Sequence, residues 1–195
     1  MLPIYEPPVP KQVEKRLVSS AISISCNSRT SKAMTEMDNP LPSSAQRVAE
    51  AAKRLGLSPH IVTMADSTRT AEEAAAACGC EVAQIVKSLV FRGAQTGTPY
   101  LLLVSGKNRV NEQKAAKVIG ESLARPDASY VRGTTGYAIG GIPPFGHDTP
   151  LKTFMDADLL AYDSVWAAAG TPHCVMRLSP RDLQAKTGAA SLVVY

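Results

Sequence analysis

The stretch QIVKSLVFR, from Gln84 to Arg92, places one lysine inside an otherwise apolar run that is rich in β-branched residues. A run of this length and composition predicts a buried strand. A charge inside such a strand is costly unless it has a partner, so its presence requires a reason. Lys87 is therefore the first candidate functional residue.

A second stretch, TTGYAIGGIPPFGH, spans Thr134 to His147. Its glycines can adopt positive φ, whereas Pro143 and Pro144 are locked near one φ and lack amide hydrogens. Gly140, Gly141 and Ile142 retain their amide hydrogens, so we expect backbone donors on the glycine side of this loop. Such donors can hold a carbonyl or stabilise an oxyanion.

Both stretches resemble the signatures of the YbaK/ProX-like aminoacyl-tRNA deacylases, relatives of the editing domain of bacterial prolyl-tRNA synthetase. In that family a lysine in a (V/Y)K(S/T/N)L strand and a GGxxP-type loop line the pocket for a mischarged aminoacyl ester. The resemblance runs from about Pro42 to Val194. It includes the segments YLLLVSG, from Tyr100 to Gly106, and WAAAGTPH, from Trp166 to His173.

The resemblance implies a free-standing hydrolase that deacylates mischarged tRNA in trans, with no cofactor and no metal. The expected substrate is a small amino acid, such as alanine, cysteine or serine, on a proline-type tRNA. Lys87, Gly140 and Gly141 are the expected catalytic residues. The expected substrate-binding residues are Thr135, Ile142, Pro143 and His147.

A basic cluster follows the strand that ends at Ser105, and it consists of Lys107, Arg109, Lys114 and Lys117. Its ordinary interpretation is a solvated helix face. As an RNA-binding surface it could contact phosphates of the acceptor stem, since phosphate contacts require only positive charge at tolerant positions.

Other functional classes remain open at this stage. A non-catalytic module could use the same pocket to bind an amino acid, a tRNA or a synthetase, because a fold does not fix a function. His147, Asp148 and His173 suggest a metallohydrolase, but a zinc site needs three or four ligands in a suitable geometry. Cys174 next to His173 suggests a thiol nucleophile, although a cysteine that begins a strand is more often a small buried hydrophobe. No G-x-S-x-G elbow of a serine hydrolase occurs.

Composition limits the partners. The 195 residues are 45% hydrophobic and 5% aromatic and carry a formal charge of +4. We therefore expect an aliphatic core, no aromatic platform for stacked bases, and tRNA contact through a local basic patch rather than DNA binding.

The four cysteines form no C-x-x-C pair, and no apolar run reaches eighteen residues. These features predict free thiols, a cytoplasmic location and no membrane span. A synthetase or an elongation factor is a further conceivable partner.

Residues 1–36 are rich in proline and serine and lack periodicity, so we expect a disordered extension before a domain at residues 37–195. Within the domain, strands outnumber helices and do not alternate with them regularly. This order predicts a single α+β domain with a mixed, curved β-sheet flanked by helices, as the resemblance also implies.

Individual elements follow from periodicity and capping residues. The predicted strands are His60 to Met64, Ile85 to Arg92, Tyr100 to Ser105, Tyr130 to Val131, Leu159 to Tyr162, Val165 to Ala168 and Cys174 to Leu178. The predicted helix starts are Ser43 or Ser44, Ser67 or Thr68, Asn111 and Ser179.

Overall fold

Strands and helices follow one another irregularly in the computed structural model, which describes residues 41–65 and 70–195. The predicted extension at residues 1–36 and the predicted caps Ser67 and Thr68 lie outside the described residues. The helices are α1 (Ser43–Leu55), α2 (Ala71–Cys78), α3 (Glu112–Ile119), α4 (Ala128–Thr135) and α5 (Pro180–Thr187). The strands are β1 (His60–Thr63), β2 (Ile85–Gly93), β3 (Pro99–Ser105), β4 (Leu123–Ala124), β5 (Lys152–Asp156), β6 (Val165–Thr171), β7 (Cys174–Leu178) and β8 (Ala190–Leu192).

All of these strands belong to one sheet with the order β1-β7-β6-β2-β3-β5-β8, and β4 pairs with the end of β2. The pairs β2–β3, β6–β7 and β1–β7 are antiparallel, whereas β2–β6, β3–β5 and β5–β8 are parallel. The predicted α+β fold with a mixed sheet is thereby confirmed, and β2 and β3 form an antiparallel hairpin at the sheet's centre.

Alternation along β3 divides the core between the two faces of the sheet. Leu101 and Leu103 pack in the larger cluster, which includes Val48 of α1. Leu102 and Val104 pack in a smaller cluster with Ala115 of α3. The central hairpin is thus covered by helices on both sides.

Capping residues explain most of the helix boundaries. Asn111 accepts a hydrogen bond from the amide of Lys114, and Ser179 accepts one from that of Asp182, as predicted. The cap of α2 is Thr70, which forms a reciprocal capping box with Glu73. The predicted serine cap of α1 is wrong, because the helix begins at Ser43 after Pro42 and has no side-chain cap.

Two predicted strands are also wrong. Tyr130 and Val131 lie in α4, because the Asp127 carboxylate accepts from the amide of Tyr130 and starts a helix there. Leu159 lies in a 3-10 turn at Ala157–Ala161, where Asp156 accepts from the amide of Asp158. The strand of this region is instead β5, which pairs in parallel with β3 and β8.

In residues 41–65 and 70–195, no helix has the length and apolar character needed to cross a bilayer.

Close backbone packing at Gly106 yields a stability prediction. A Cβ added at Gly106 would overlap the carbonyl oxygen of Val82, whereas one at Gly133 of α4 would meet nothing within 4 Å. We expect Gly106→Ala to lower the free energy of unfolding by about 1–3 kcal/mol, since two backbone segments must separate.

The matched control, Gly133→Ala, should raise it by about 0.5–1 kcal/mol, because alanine favours a helix interior. Thermal and urea unfolding of both variants measures the difference. Equal stability of the two variants would show that the turn at Gly106 has room to adjust.

Candidate functional site

The site lies where β6 diverges from β2. These parallel strands pair at only two positions, Ile85 with Trp166 and Val86 with Ala167. Beyond Val86, β2 remains paired with β3 but no longer with β6, and a cavity of about 280 Å³ opens beside Lys87 and Ser88. The local pairing therefore places the predicted functional strand at the edge of a pocket.

The cavity wall is mostly apolar and is formed by helix α2, strands β2, β6 and β7, and the TTGYAIGGIPPFGH stretch from Thr134 to His147, which we call the glycine loop. Among its described lining residues, Lys87 alone carries a charge. The remaining wall residues are Thr70, Ala71, Ala74, Cys78, Ile85, Val86, Ser88, Leu89, Ile139, Gly140, Ile142, Trp166, Ala167, Ala168, Thr171, Cys174 and Val175. The cavity therefore suits a small ligand that presents one polar group to Lys87.

The Lys87 ammonium is part-buried and held by two backbone carbonyls. Nζ donates to Gly106 O at 2.9 Å and to Asn108 O at 2.5 Å. An ammonium has three hydrogens, so one has no acceptor among the described residues and is available to a ligand. Burial, and secondarily the charge of Arg109, lower the pKa of Lys87, while Glu72 and Asp156 oppose the shift.

The glycine loop reaches the same cavity, so the structure brings Lys87, Gly140 and Ile142 together. The Gly141 amide, however, donates to Ala138 O at 3.0 Å, and the Gly141 carbonyl accepts from Gly170 N of β6 at 3.0 Å. A Cβ on Gly141 would lie 2.8 Å from Thr171 Cα. Gly141 therefore anchors the loop to β6 here, although the sequence suggested it as a free donor.

Two amides of the loop remain available. Within the described part of the chain, neither the Gly140 amide nor the Ile142 amide has a hydrogen-bond acceptor. Gly140 adopts a φ of +90°, a conformation that glycine reaches without steric cost. Two residues at the cavity wall thus carry backbone amides that have no acceptor in the described residues.

The expected substrate-binding residues Thr135, Pro143 and His147 do not line this cavity. The buried Thr135 hydroxyl donates to Val131 O at 2.7 Å and accepts from the Tyr137 amide at 3.1 Å. His147 Nε2 lies 2.8 Å from Pro143 O, and because a carbonyl only accepts, Nε2 carries the hydrogen. These contacts fix the shape of the loop, and direct contact of these residues with a substrate remains a prediction.

His147 instead lines a second cavity of about 240 Å³ with Phe145 and Lys186. Its ring also meets Tyr137 edge to face. Burial lowers the pKa of His147, which favours the neutral imidazole that donates to Pro143. Asp148 pairs with Arg47 at 2.6 Å.

No group of three metal-binding side chains occurs among residues 41–65 and 70–195, so the metallohydrolase alternative has no ligand cluster there.

Two thiols contribute to the cavity wall. Burial, together with neighbouring Cys80, raises the pKa of Cys78 to about 11, so this thiol stays protonated near neutral pH. Cys174 is fully buried, with Sγ 3.7 Å from Thr63 Oγ1. A thiolate nucleophile needs a lowered pKa, and Cys78 has the opposite shift.

Ser88 is a candidate that our sequence analysis did not single out. Its hydroxyl oxygen is buried beside the cavity and has no hydrogen-bond partner among the described residues. An unpaired buried hydroxyl is costly, which suggests that a ligand completes it. Ser88 directly follows Lys87 in the sequence, and this position was the feature from which its place beside the cavity could have been predicted.

The four residues of the basic cluster are all exposed. Lys107 pairs with Asp158 at 3.1 Å, and Lys114 Nζ donates to the backbone oxygen of Tyr195 at 2.6 Å. Arg109 is close enough to affect the pKa of Lys87. RNA binding by this cluster remains a prediction.

Comparison with known proteins identifies the family and the fold. The model of the aminoacyl-tRNA editing domain matches residues 65–186. A protein of Enterococcus faecalis (strain ATCC 700802 / V583), named "Putative Cys-tRNA(Pro)/Cys-tRNA(Cys) deacylase EbsC", is 30% identical over 122 residues, which are 60% of this chain and 72% of that protein.

Two solved structures are also similar. One, described as "a putative trans-editing enzyme for prolyl tRNA synthetase", has a TM-score of 0.75 and 50% identity and covers 79% of this chain and 98% of its own. The other, hypothetical protein APE2540, has a TM-score of 0.71 and 31% identity and covers 76% of this chain and 98% of its own. The resemblance drawn from Lys87 and the glycine loop is confirmed, and the chain belongs to the aminoacyl-tRNA editing domain family.

Proposed function

We propose that this protein is a trans-editing deacylase that hydrolyses a small amino acid, such as alanine, cysteine or serine, from a proline-type tRNA. The observation that carries the proposal is that Lys87, Gly140 and Ile142 line one small, mostly apolar cavity, and that the amides of Gly140 and Ile142 have no acceptor in the described residues. Membership of the editing family supports the reaction class. The names of two similar proteins refer to tRNA(Pro) or to prolyl-tRNA synthetase, which supports a proline-type tRNA as the substrate. We assign this activity to a domain at residues 37–195.

The chemistry needs little from the protein, because an aminoacyl ester is already activated. The Gly140 and Ile142 amides would donate to the ester oxygen on which negative charge develops. Water adds to the carbonyl carbon, the bond to the ribose oxygen breaks, and that oxygen takes a proton. The substrate's own amine or ribose hydroxyl is the proposed proton carrier, since the Cys78 thiol is protonated and His147 does not line the cavity.

The free hydrogen of Lys87 has a separate role in this proposal. Two backbone carbonyls fix its ammonium, so the third N–H has a defined direction. It would hold the ester carbonyl or the terminal ribose and phosphate at the mouth of the cavity. A positioned cation is worth more in an apolar, partly desolvated site than in water.

Removal of Lys87 tests this assignment. We expect Lys87→Ala to lower kcat/KM for deacylation by about 100-fold or more, because an electrostatic contact in the transition state is lost. The matched control is Arg92→Ala, which removes an exposed cation from the same strand. Its rate should stay near wild type. Circular dichroism melting of each variant establishes that it is folded at the assay temperature. Wild-type turnover by Lys87→Ala would exclude Lys87 from the reaction.

Ser88 gives a second test. We expect Ser88→Ala to leave the melting temperature unchanged or higher, since the buried hydroxyl has no protein partner in the described residues. Its kcat/KM should fall about tenfold, the equivalent of one lost hydrogen bond of about 1.4 kcal/mol. Lower stability with an unchanged rate would contradict a role in substrate binding.

A substrate panel tests the function itself. Alanine, cysteine, serine, proline and leucine are each placed on the same proline-type tRNA, and hydrolysis is followed with wild-type protein and Lys87→Ala. At least one of the three small residues should be released about tenfold faster than proline, since the small apolar cavity discriminates by size. The best amino acid on a second tRNA then tests the tRNA preference. Saturable binding without turnover on any tRNA would favour a non-catalytic module.

A further inference from the structure

The turn that holds Lys87 depends on a buried carboxylate at the end of β5. Asp156 is fully buried. Its Oδ2 accepts from the Ser105 amide at 3.1 Å and from Asn108 Nδ2 at 2.8 Å. Its Oδ1 accepts from the Asp158 amide at 3.2 Å. Asp156 therefore fixes both ends of the turn whose Gly106 and Asn108 carbonyls bind the Lys87 ammonium.

The desolvation of this buried carboxylate opposes folding. Asp156 takes part in none of the three ion pairs of the described residues, so its direct partners are hydrogen-bond donors. A well-packed apolar residue would serve the core at least as well. The Asp156 carboxylate does interact with the Lys87 ammonium nearby, and it raises the pKa of Lys87.

We propose that Asp156 is a positioning residue for editing, one that holds the Ser105–Asn108 turn so that Lys87 directs its free N–H into the cavity. Asp156 does not itself line the cavity, so it acts through Asn108 and Lys87 and not on the substrate. The inference rests on the proposed function, because it assigns Asp156 to the group that we expect to act on the ester. When a reacting group in an active site is misoriented, the catalytic rate falls much more than the free energy of unfolding does.

Asp156→Asn is the most direct test, because it keeps the shape and removes one acceptor. An amide nitrogen cannot accept from the donors that surround the present carboxylate. We expect kcat to fall about 10- to 100-fold, with a smaller change in KM, at a temperature where the variant is folded. In the Lys87→Ala background the same change should have no further effect on the rate.

Glu121→Gln is the matched control. Its carboxylate also holds a turn, since it accepts from the amides of Gln95 and Thr96 and from the Tyr100 hydroxyl. That turn lies at the other end of the β2–β3 hairpin, away from the cavity. Its loss should affect stability and leave kcat unchanged.

NMR titration of the Lys87 side chain provides a readout that a purely structural role would not move. Arg109, Glu72 and Asp156 are the charged groups that affect this ammonium. Removal of the Asp156 charge should lower the pKa of Lys87, whereas Glu121→Gln should not change it. If Asp156→Asn does not fold, Asn108→Ala is used in its place. That substitution removes the hydrogen bond from Asn108 Nδ2 to Asp156 and keeps the backbone carbonyl of residue 108, which accepts from Lys87.

The outcomes separate this inference from the proposed function. Wild-type turnover by Lys87→Ala would overturn both. An inactive Lys87→Ala combined with an unchanged kcat and Lys87 titration in folded Asp156→Asn would overturn only the role of Asp156. Independent, multiplicative effects of the two substitutions would also overturn it, since they would show that Asp156 does not act through Lys87.

Discussion

The early divergence of β2 and β6 is the constraint from which the rest of the site follows. Two parallel strands that pair at only two positions leave a gap in the sheet, and the backbone and side chains around it must be covered. Helix α2 and the glycine loop cover it without filling it. Lys87 is the first residue of β2 beyond the paired positions, so its stem packs against the sheet while its ammonium reaches polar groups at the cavity edge.

Covering the gap requires the glycine loop to lie directly on β6. The hydrogen bond between the Gly170 amide and the Gly141 carbonyl makes that contact, and it leaves no space for a side chain at Gly141. The following prolines and the His147–Pro143 hydrogen bond restrict the rest of the loop. Its unpaired amides are therefore held in place before any ligand arrives, which is the condition for electrostatic preorganisation.

Much of this arrangement could be predicted from the sequence. A lone lysine in an apolar run and two glycines before two prolines are strong local signals, and they identified the strand, the loop and the family. Capping residues such as Asn111 and Ser179 also act locally, so their helices were placed correctly. The element at Tyr130 and Val131 was misplaced because its cap, Asp127, outweighs the strand preference of two residues.

Other features depend on contacts between distant segments. Nothing near Gly141 in the sequence indicates that Gly170 lies against it and donates a hydrogen bond to its carbonyl. Asp156 was not recognised because its partners, Ser105 and Asn108, are about fifty residues away. The contacts of the Thr135 and His147 side chains could not be predicted from the sequence either. Whether such a polar side chain contacts a cavity or the neighbouring backbone depends on the conformation of the folded loop.

The cavity has an evolutionary consequence because its parts come from different segments. Its side-chain walls are supplied largely by α2, β6 and β7, whereas the proposed reacting groups are one lysine and the backbone of one loop. A backbone amide survives every side-chain substitution except proline. Mutations in the walls could thus change the shape of the cavity one step at a time, while each intermediate protein keeps these proposed reacting groups. Such a lineage can diversify in substrate choice without passing through an inactive ancestor.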